Sequence, residues 1–239
     1  MRYLDLVSTV PSAFAAAVAS DPARPLLTWY DDATAERTEL SGATLANWVA
    51  KTANLLTDGC GLGVGSTAAV QTPPHWQTAA LLLGVWTAGL AVSPLDMAPV
   101  DVAFVLPGQP AIAPDTFAVG LHPFALPVRD LAPGVQDWVS SARVHGDHFG
   151  GPLPSEDAPA LGSLTQASLV ALASSRAGAL GIVPGSRVLI DVGAHPSLVD
   201  WLVAPLVAGC TLVACANADP STLEKRALTE RALLLPPAS

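Results

Sequence analysis

One residue pattern occurs twice in this 239-residue chain. Leu40-Ser41-Gly42-Ala43-Thr44-Leu45 matches Leu164-Thr165-Gln166-Ala167-Ser168-Leu169 in residue type. Gly65-Ser66 returns as Gly185-Ser186, His75 as His195, and Ala88-Gly89 as Ala208-Gly209, all at one offset of 120 residues. Internal repetition constrains architecture more than any single motif. Each copy reads as helix, turn, strand, helix, strand. Ser41 or Thr165 is placed to cap the first helix. Leu45, Trp48, Val49, Thr52, Leu55 and Leu56 share one helical face in the first copy. Leu169, Leu172, Ala173, Arg176, Ala179 and Leu180 do so in the second, interrupted by the arginine.

Glycine-rich turns, Gly59–Gly63 and Gly181–Gly185, end these helices. Apolar strands Thr67–Thr72 and Arg187–Val192 come next, as expected in a covered parallel sheet. Second helices span about His75–Ala88 and Pro196–Ala208. Gly89 and Gly209 end them, and strands Leu90–Ser93 and Thr211–Cys215 complete the units. Between the copies, Val100–Leu106 and Thr116–Leu121 read as strands and Asp137–Val144 as a short helix. Residues 152–159 form a linker. The alternation predicts an α/β fold with right-handed crossovers: two pseudo-twofold-related parallel sheets with flanking helices. The expected lobes are 62–160, and 1–61 plus 161–239.

Hydrophobic residues make up 51 % of the chain, enough for a large core, so disorder is excluded. Net charge is −9 and no basic block occurs, which argues against nucleic acid and anionic membrane as partners. Cys60, Cys210 and Cys215 lack CxxC spacing and read as small buried hydrophobes in a reducing cytosol. The only lysines are Lys51 and Lys225, a bias expected of GC-rich bacterial coding. Leu6–Ala19 is apolar, but Asp5 spoils a positive leader and Pro11-Ser12 reads as the start of a helix. Gly59–Leu95 carries no formal charge. Its apolar core, Ala79–Val92, is shorter than the roughly 20 residues a spanning helix needs. A soluble, cytoplasmic protein is expected.

Several segments resemble a known family. Leu26–Asp31, Leu40-Ser41 and Gly65–Val70 look like the opening of the adenylate-forming enzymes, which include acyl-CoA synthetases, adenylation domains and luciferases. Gly84-Val85-Trp86-Thr87-Ala88-Gly89-Leu90-Ala91-Val92-Ser93-Pro94-Leu95-Asp96 resembles that family's K-A-G-x-x-x-x-P-L-D motif, with Thr87 in place of the basic residue. Gly185–Val188 and Ala204–Val213 resemble the segment after its phosphate loop. The resemblance spans nearly the whole chain but only the N-terminal half of a full member. It implies that the helix opening each copy packs on the other copy's sheet.

The departures carry the functional argument. The family places a Ser/Thr/Gly-rich loop and a lysine between these regions, where hydroxyls and backbone donors hold ATP phosphates. Here Ala158-Pro159-Ala160-Leu161-Gly162-Ser163-Leu164-Thr165 runs directly into the next helix. The aromatic-Gly-x-Thr-Glu and Thr-Gly-Asp motifs do not occur in these residues, and the family's domain with the catalytic lysine would lie beyond Ser239. Adenylation must neutralise triphosphate charge and align a carboxylate, and the groups for neither are present.

Other candidates have plain readings. His145-Gly146-Asp147-His148 offers imidazole and carboxylate donors of the kind zinc or nickel takes, but without a third ligand cluster it reads as a solvated loop. His75 and His195 read as helix-start residues at a sheet end. Ser140-Ser141 and Ser174-Ser175 lack a nucleophile elbow. The glycines of Gly59–Gly65 follow a helix and precede a strand, the reverse of a dinucleotide loop. No catalytic, cofactor-binding or metal residue is assigned, and no cofactor is expected.

The expectation is a noncatalytic relic acting in binding or assembly. The alternative is a fragment of an acyl- or aryl-CoA synthetase, an AMP-forming ligase working with a second chain. Charged residues are 13 % of the chain, well below the usual ~25 %. A homodimer or hetero-partner is therefore expected, with contacts sought in Met97–Gly151 and Ala232–Leu235. Any small-molecule ligand is unknown.

Overall fold

The structure is a computed structural model describing residues 7–93 and 99–237. Residues 1–6, and Pro94-Leu95-Asp96 of the family motif, lie outside the described residues, whereas most of the apolar stretch weighed as a leader is described and forms the first helix, Val10–Ser20. The chain divides into two compact units. One comprises Ala46–Ala167. The other comprises Met1–Leu45 and Ser168–Ser239.

The second of these units opens with helix α1 (Val10–Ser20), strands β1 (Pro25–Asp31) and β2 (Glu36–Ser41), and the start of helix α2 (Gly42–Asn54). Thr9 and Ser12 cap α1 reciprocally: the Ser12 N–H donates to Thr9 Oγ1 (3.1 Å) and the Thr9 N–H to Ser12 Oγ (3.0 Å). Ser41 Oγ accepts from the Thr44 N–H (3.2 Å), the capping expected of it.

The Ala46–Ala167 unit contains β3 (Thr67–Val70), α3 (Trp76–Thr87), β4 (Ala91–Val92), β5 (Val102–Val105), β6 (Asp115–Ala118), β7 (Val135–Asp137), α4 (Trp138–Arg143), β8 (Pro159–Leu161) and β9 (Leu164–Thr165). They form one sheet in the order β7-β6-β5-β3-β4-β8-β9. The chain leaves β3 through α3 to β4 on one side and returns to β5 on the other. Phe104 and Phe117 stack within the core, ring centroids 5.7 Å apart.

Helix α5 (Gln166–Ala179) leads into β10 (Arg187–Asp191), α6 (Ala204–Val207), β11 (Thr211–Ala216), α7 (Pro220–Glu230) and β12 (Leu233–Leu234). With β1 and β2 they make a sheet ordered β12-β10-β11-β1-β2. Here β10 lies between β11 and β12, so the chain again moves to one side of a central strand and then to the other. The Leu-rich end folds back as β12, pairing Leu233 with Val188 and Leu234 with Leu189.

Two expectations need correction. The sheets are not wholly parallel: β2 runs antiparallel to β1, and β9 to β8. Each pair is joined by a short turn, and a short turn can link only antiparallel neighbours. The helix expected over Pro196–Ala208 is a π turn at Val199–Val203 followed by the short α6. Pro205 has no N–H to return to the Trp201 carbonyl and its ring crowds the preceding turn, so the helix widens ahead of it. Gly89 and Gly209 end their helices at φ +84° and +69°, as turn glycines should.

Both α2 and α5 make defined side-chain contacts inside their own units. Trp48 of α2 lies 5.1 Å from Trp138 and 6.0 Å from Trp76, ring to ring. Arg176 of α5, the apparent interruption of an apolar face, grips Asp200 of the π turn through two 2.7 Å hydrogen bonds. Among the described residues, no helix is long and apolar enough to cross a membrane.

Candidate functional site

Residues 156–167 stand where the sequence resemblance leads one to expect a phosphate loop. β8 lies beside β4 with Leu161 opposite Val92, and the chain reverses at Gly162-Ser163 into β9. Gly162 makes the turn at φ +54°. Three N–H groups that a phosphate cradle would need free are already satisfied by the protein's own carbonyls. Gly162 donates to Val92 (2.9 Å), Gln166 to Ala158 (2.9 Å), and Ala167 to Glu156 (2.9 Å). The buried Trp86 indole N–H donates to the Ala160 carbonyl (2.8 Å), pinning β8 from α3. Anion binding at such a position needs several N–H groups converging on empty space. Here three N–H groups in and just after the hairpin are spent on carbonyls of β4 and of the chain leading into β8.

The other residues singled out in the sequence have structural partners. His75 caps α3, its Nδ1 accepting from the Gln77 N–H (3.1 Å), so it is the helix-start residue expected. His195 lies just past β10, is 1 % exposed, and its Nε2 lies 2.8 Å from the Pro236 carbonyl oxygen. The His145–His148 loop is fastened to the end of α2. Lys51 Nζ donates to the His145 carbonyl (2.7 Å) and pairs with Asp147 (2.7 Å), while Asn54 Nδ2 donates to the Gly146 and His148 carbonyls (3.1 and 3.0 Å). Among the described residues, no group of three or more His, Cys, Asp or Glu side chains could hold a metal ion. Ser140 and Ser141 lie in α4, and Ser174 and Ser175 in α5.

All three thiols are shifted away from reactivity. Burial, with Asp115 adding to it, pushes Cys60 up to about 12, and burial pushes Cys215 up to about 11. Burial also raises Cys210. A thiol is nucleophilic only as thiolate, so none of these is an activated nucleophile near neutral pH.

Sequence reasoning missed the most charged cluster of the chain. Arg187 of β10 donates to Glu230 (2.7 Å) and to Thr28 Oγ1 (2.8 Å). Tyr30 Oη donates to the other Glu230 oxygen, and Arg37 bridges Tyr30 (2.8 Å), Glu39 (2.7 Å) and Glu230 (3.2 Å). Arg226 lies over the Tyr30 ring at 4.4 Å and pairs with Asp32 (2.6 Å). Burial pulls the Glu230 carboxyl up, but hydrogen bonds from Tyr30, Arg187 and Arg37 outweigh it and hold it below the usual carboxylate range. The three arginines each have a carboxylate partner, so this cluster fastens α7 to the sheet. An anionic ligand would have to displace Glu230 or Asp32.

Comparison with known proteins agrees with this architecture. The profile of the AMP-binding enzyme family matches residues 14–101. A Mycobacterium tuberculosis protein named TIGR03089 family protein is 41 % identical over 225 residues, covering 89 % of this chain and 91 % of that one. This chain belongs to the TIGR03089 family. The sulfoacetate–CoA ligase of Cupriavidus necator is 33 % identical over 184 residues, but the match covers 64 % of this chain and only 35 % of the ligase. Among solved structures, the Brucella canis acyl-CoA synthetase superposes with a TM-score of 0.74 at 14 % identity, covering 97 % of this chain and 49 % of that one. The acetoacetyl-CoA synthetase of Streptomyces lividans gives 0.69 at 16 %, covering 93 % and 41 %. This TIGR03089 family member thus has the fold of the N-terminal part of adenylate-forming enzymes. It spans about half the length of the synthetases it superposes on.

Proposed function

We propose that this chain is a noncatalytic relative of the adenylate-forming enzymes that works in the cytosol as a binding or assembly protein. The observation that carries the reading is the β8–β9 hairpin. A two-residue turn, Gly162-Ser163, stands where the resemblance places a phosphate loop, and its neighbouring N–H groups are bonded internally. Adenylation is mostly charge neutralisation and alignment, and the hairpin offers neither.

Assembly has separate support. The crossover 119–134 joins parallel strands β6 and β7 without a helix. Long irregular crossovers of this kind are uncommon unless they serve a function. It buries Ala125 yet leaves Phe124 79 % and Leu126 50 % exposed. Both lie in the segment Met97–Gly151 where self-association was expected.

The test is ATP–pyrophosphate exchange over a panel of carboxylic acids, with calorimetry of ATP and AMP binding. The expected result is no exchange by the chain alone. Robust exchange would overturn the reading, and exchange only after addition of a second chain would support the ligase-fragment alternative. Light scattering after size exclusion addresses assembly, and a single 24 kDa species at micromolar concentration would refute the homodimer.

A further inference from the structure

The five-stranded sheet has two edges, β2 and β12, and the chain treats them differently. Unpaired N–H and C=O groups on an edge strand are a template for another strand, and natural edges are blunted with charge. β2 is blunted: Glu36, Arg37 and Glu39 stand along it. β12 is not. Residues 232–237 carry no ionisable side chain, and Leu233 is 40 % exposed.

The free edge of β12 comes down to one residue. In a parallel ladder alternate residues turn their N–H and C=O groups to the neighbouring strand. The Leu235 N–H donates to the Leu189 carbonyl (2.9 Å), so Leu233 and Leu235 face β10 and Leu234 turns both its groups outward. On either side the backbone donors are spent or missing. The Ala232 N–H donates to the Ala227 carbonyl (2.9 Å), and Pro236 has no N–H and places its carbonyl 2.8 Å from His195 Nε2. One donor and one acceptor on a single residue are too few to hold a foreign strand in register. They are a complete set for a twofold-related copy, because on the axis each Leu234 N–H meets the other Leu234 carbonyl.

The side chains fit the same pairing. Antiparallel pairing centred on Leu234 sets Leu233 opposite Leu235 of the second copy in a non-hydrogen-bonded pair, where side chains stand closest. That pair covers the exposed Leu233. On the other face of the sheet, Leu234 packs against the cluster that includes Ala227 of α7. Arg226 of the same helix lies over Tyr30 of β1, and residues two apart on a helix point about 200° apart. Leu228, 80 % exposed, therefore projects away from β1, on the β12 side of α7. Two chains of net charge −9 repel each other, and along β12 they meet with no charged side chain in the strand.

We propose that β12 is a dimerisation edge: it pairs antiparallel with β12 of a second copy about a twofold axis at Leu234, joining two five-stranded sheets into one. This rests on the assembly reading above and names its partner, on another part of the chain than the crossover 119–134.

The test is light scattering after size exclusion on the full chain at micromolar concentration, with hydrogen exchange read at single amides by NMR. The expected mass is about twice the 24.3 kDa of one chain. The Leu234 N–H should gain at least tenfold protection between dilute and concentrated samples, while Leu235 stays protected in both. Leu234→Pro removes the one outward donor and no bond to β10, and Leu233→Lys sets a charge in the apolar pair. Each should halve the mass while circular dichroism still reports a folded chain. Exchange of ATP with pyrophosphate tests the noncatalytic reading separately, so the two can fail apart. A single-chain mass for the wild-type protein would overturn the proposal. So would a dimer whose Leu234 N–H stays unprotected, a readout that stands even if neither variant folds. A dimer that persists in both folded variants would overturn it too, while leaving assembly to another surface.

Discussion

Gly84 of α3 lies so close to Thr52 of α2 that a Cβ on the glycine would stand 2.6 Å from the Thr52 Cβ and 3.2 Å from the Val49 carbonyl oxygen. Thr52 is fully buried and cannot turn away, because its hydroxyl donates to the Trp48 carbonyl (2.8 Å) and accepts from Trp138 Nε1 (3.3 Å). Glycine in mid-helix costs about 1 kcal/mol relative to alanine. Overpacking a fixed contact costs about 1–3 kcal/mol, so sterics win. Gly84→Ala should lower the urea midpoint of unfolding despite its better helix propensity. A stabilised Gly84→Ala chain would show that α2 and α3 are not in this contact.

Gly89 makes a useful contrast. Its Cβ would stand 2.7 Å from Val64 Cγ2, nominally as tight, yet Val64 is 64 % exposed and its methyl can rotate outward. What remains is the backbone, at φ +84°. Gly89→Ala should cost about 1–2 kcal/mol from left-handed geometry alone. Adding Val64→Ala should recover little of it. Full recovery in the double variant would mean the contact, not the dihedral, sets the cost.

The Trp86 indole links α3 to the hairpin that stands in place of a phosphate loop. Trp86→Phe keeps most of the ring but leaves the Ala160 carbonyl, on a residue with no exposed surface, without this partner. An unsatisfied buried polar group costs about 1–3 kcal/mol. The variant should melt lower, with faster hydrogen exchange at Gly162 and Gln166 than at β5. Unchanged exchange in the hairpin would show that Trp86 does not hold it.

Much of this architecture is legible in the residues, and the misses have physical causes. The central strands and α3 stand out because buried parallel strands are continuously apolar, and Gly89 and Gly209 mark the helix ends. β8 is invisible: Pro159-Ala160-Leu161 is too short for a period, and proline argues against a strand until its partner is known. The π turn before α6 depends on Pro205 acting within a helix rather than at its end. At the candidate site, the missing Ser/Thr/Gly run and lysine are visible in one dimension. The Tyr30–Glu230 bond is not, because it joins residues 200 apart in sequence and each alone reads as an ordinary surface residue.

That same cluster sets an acid-side prediction. Asp32 is held below the ordinary carboxylate value first by the Arg226 hydrogen bond, against the opposing effect of burial, with the Asp219 N–H helping. Glu230 is lowered as well, its hydrogen bonds outweighing burial. A carboxylate lowered on folding gives stability that is fully present above its unfolded value, near pH 4. That stability drains away as pH falls through the lower folded value. The chain should therefore be flat in stability on this account from neutral pH to about 5, then lose it steeply. Glu230→Gln should cost roughly 2 kcal/mol at neutral pH, since Arg187 would lose a charged partner. It should also make the acid loss shallower, and Asp32→Asn should do the same to a smaller degree because its pair is more exposed. Urea midpoints of the three chains from about pH 7 to about pH 3 decide the matter. Three acid limbs of equal slope would place the acid sensitivity on other carboxylates and remove this cluster from the account of how α7 is held.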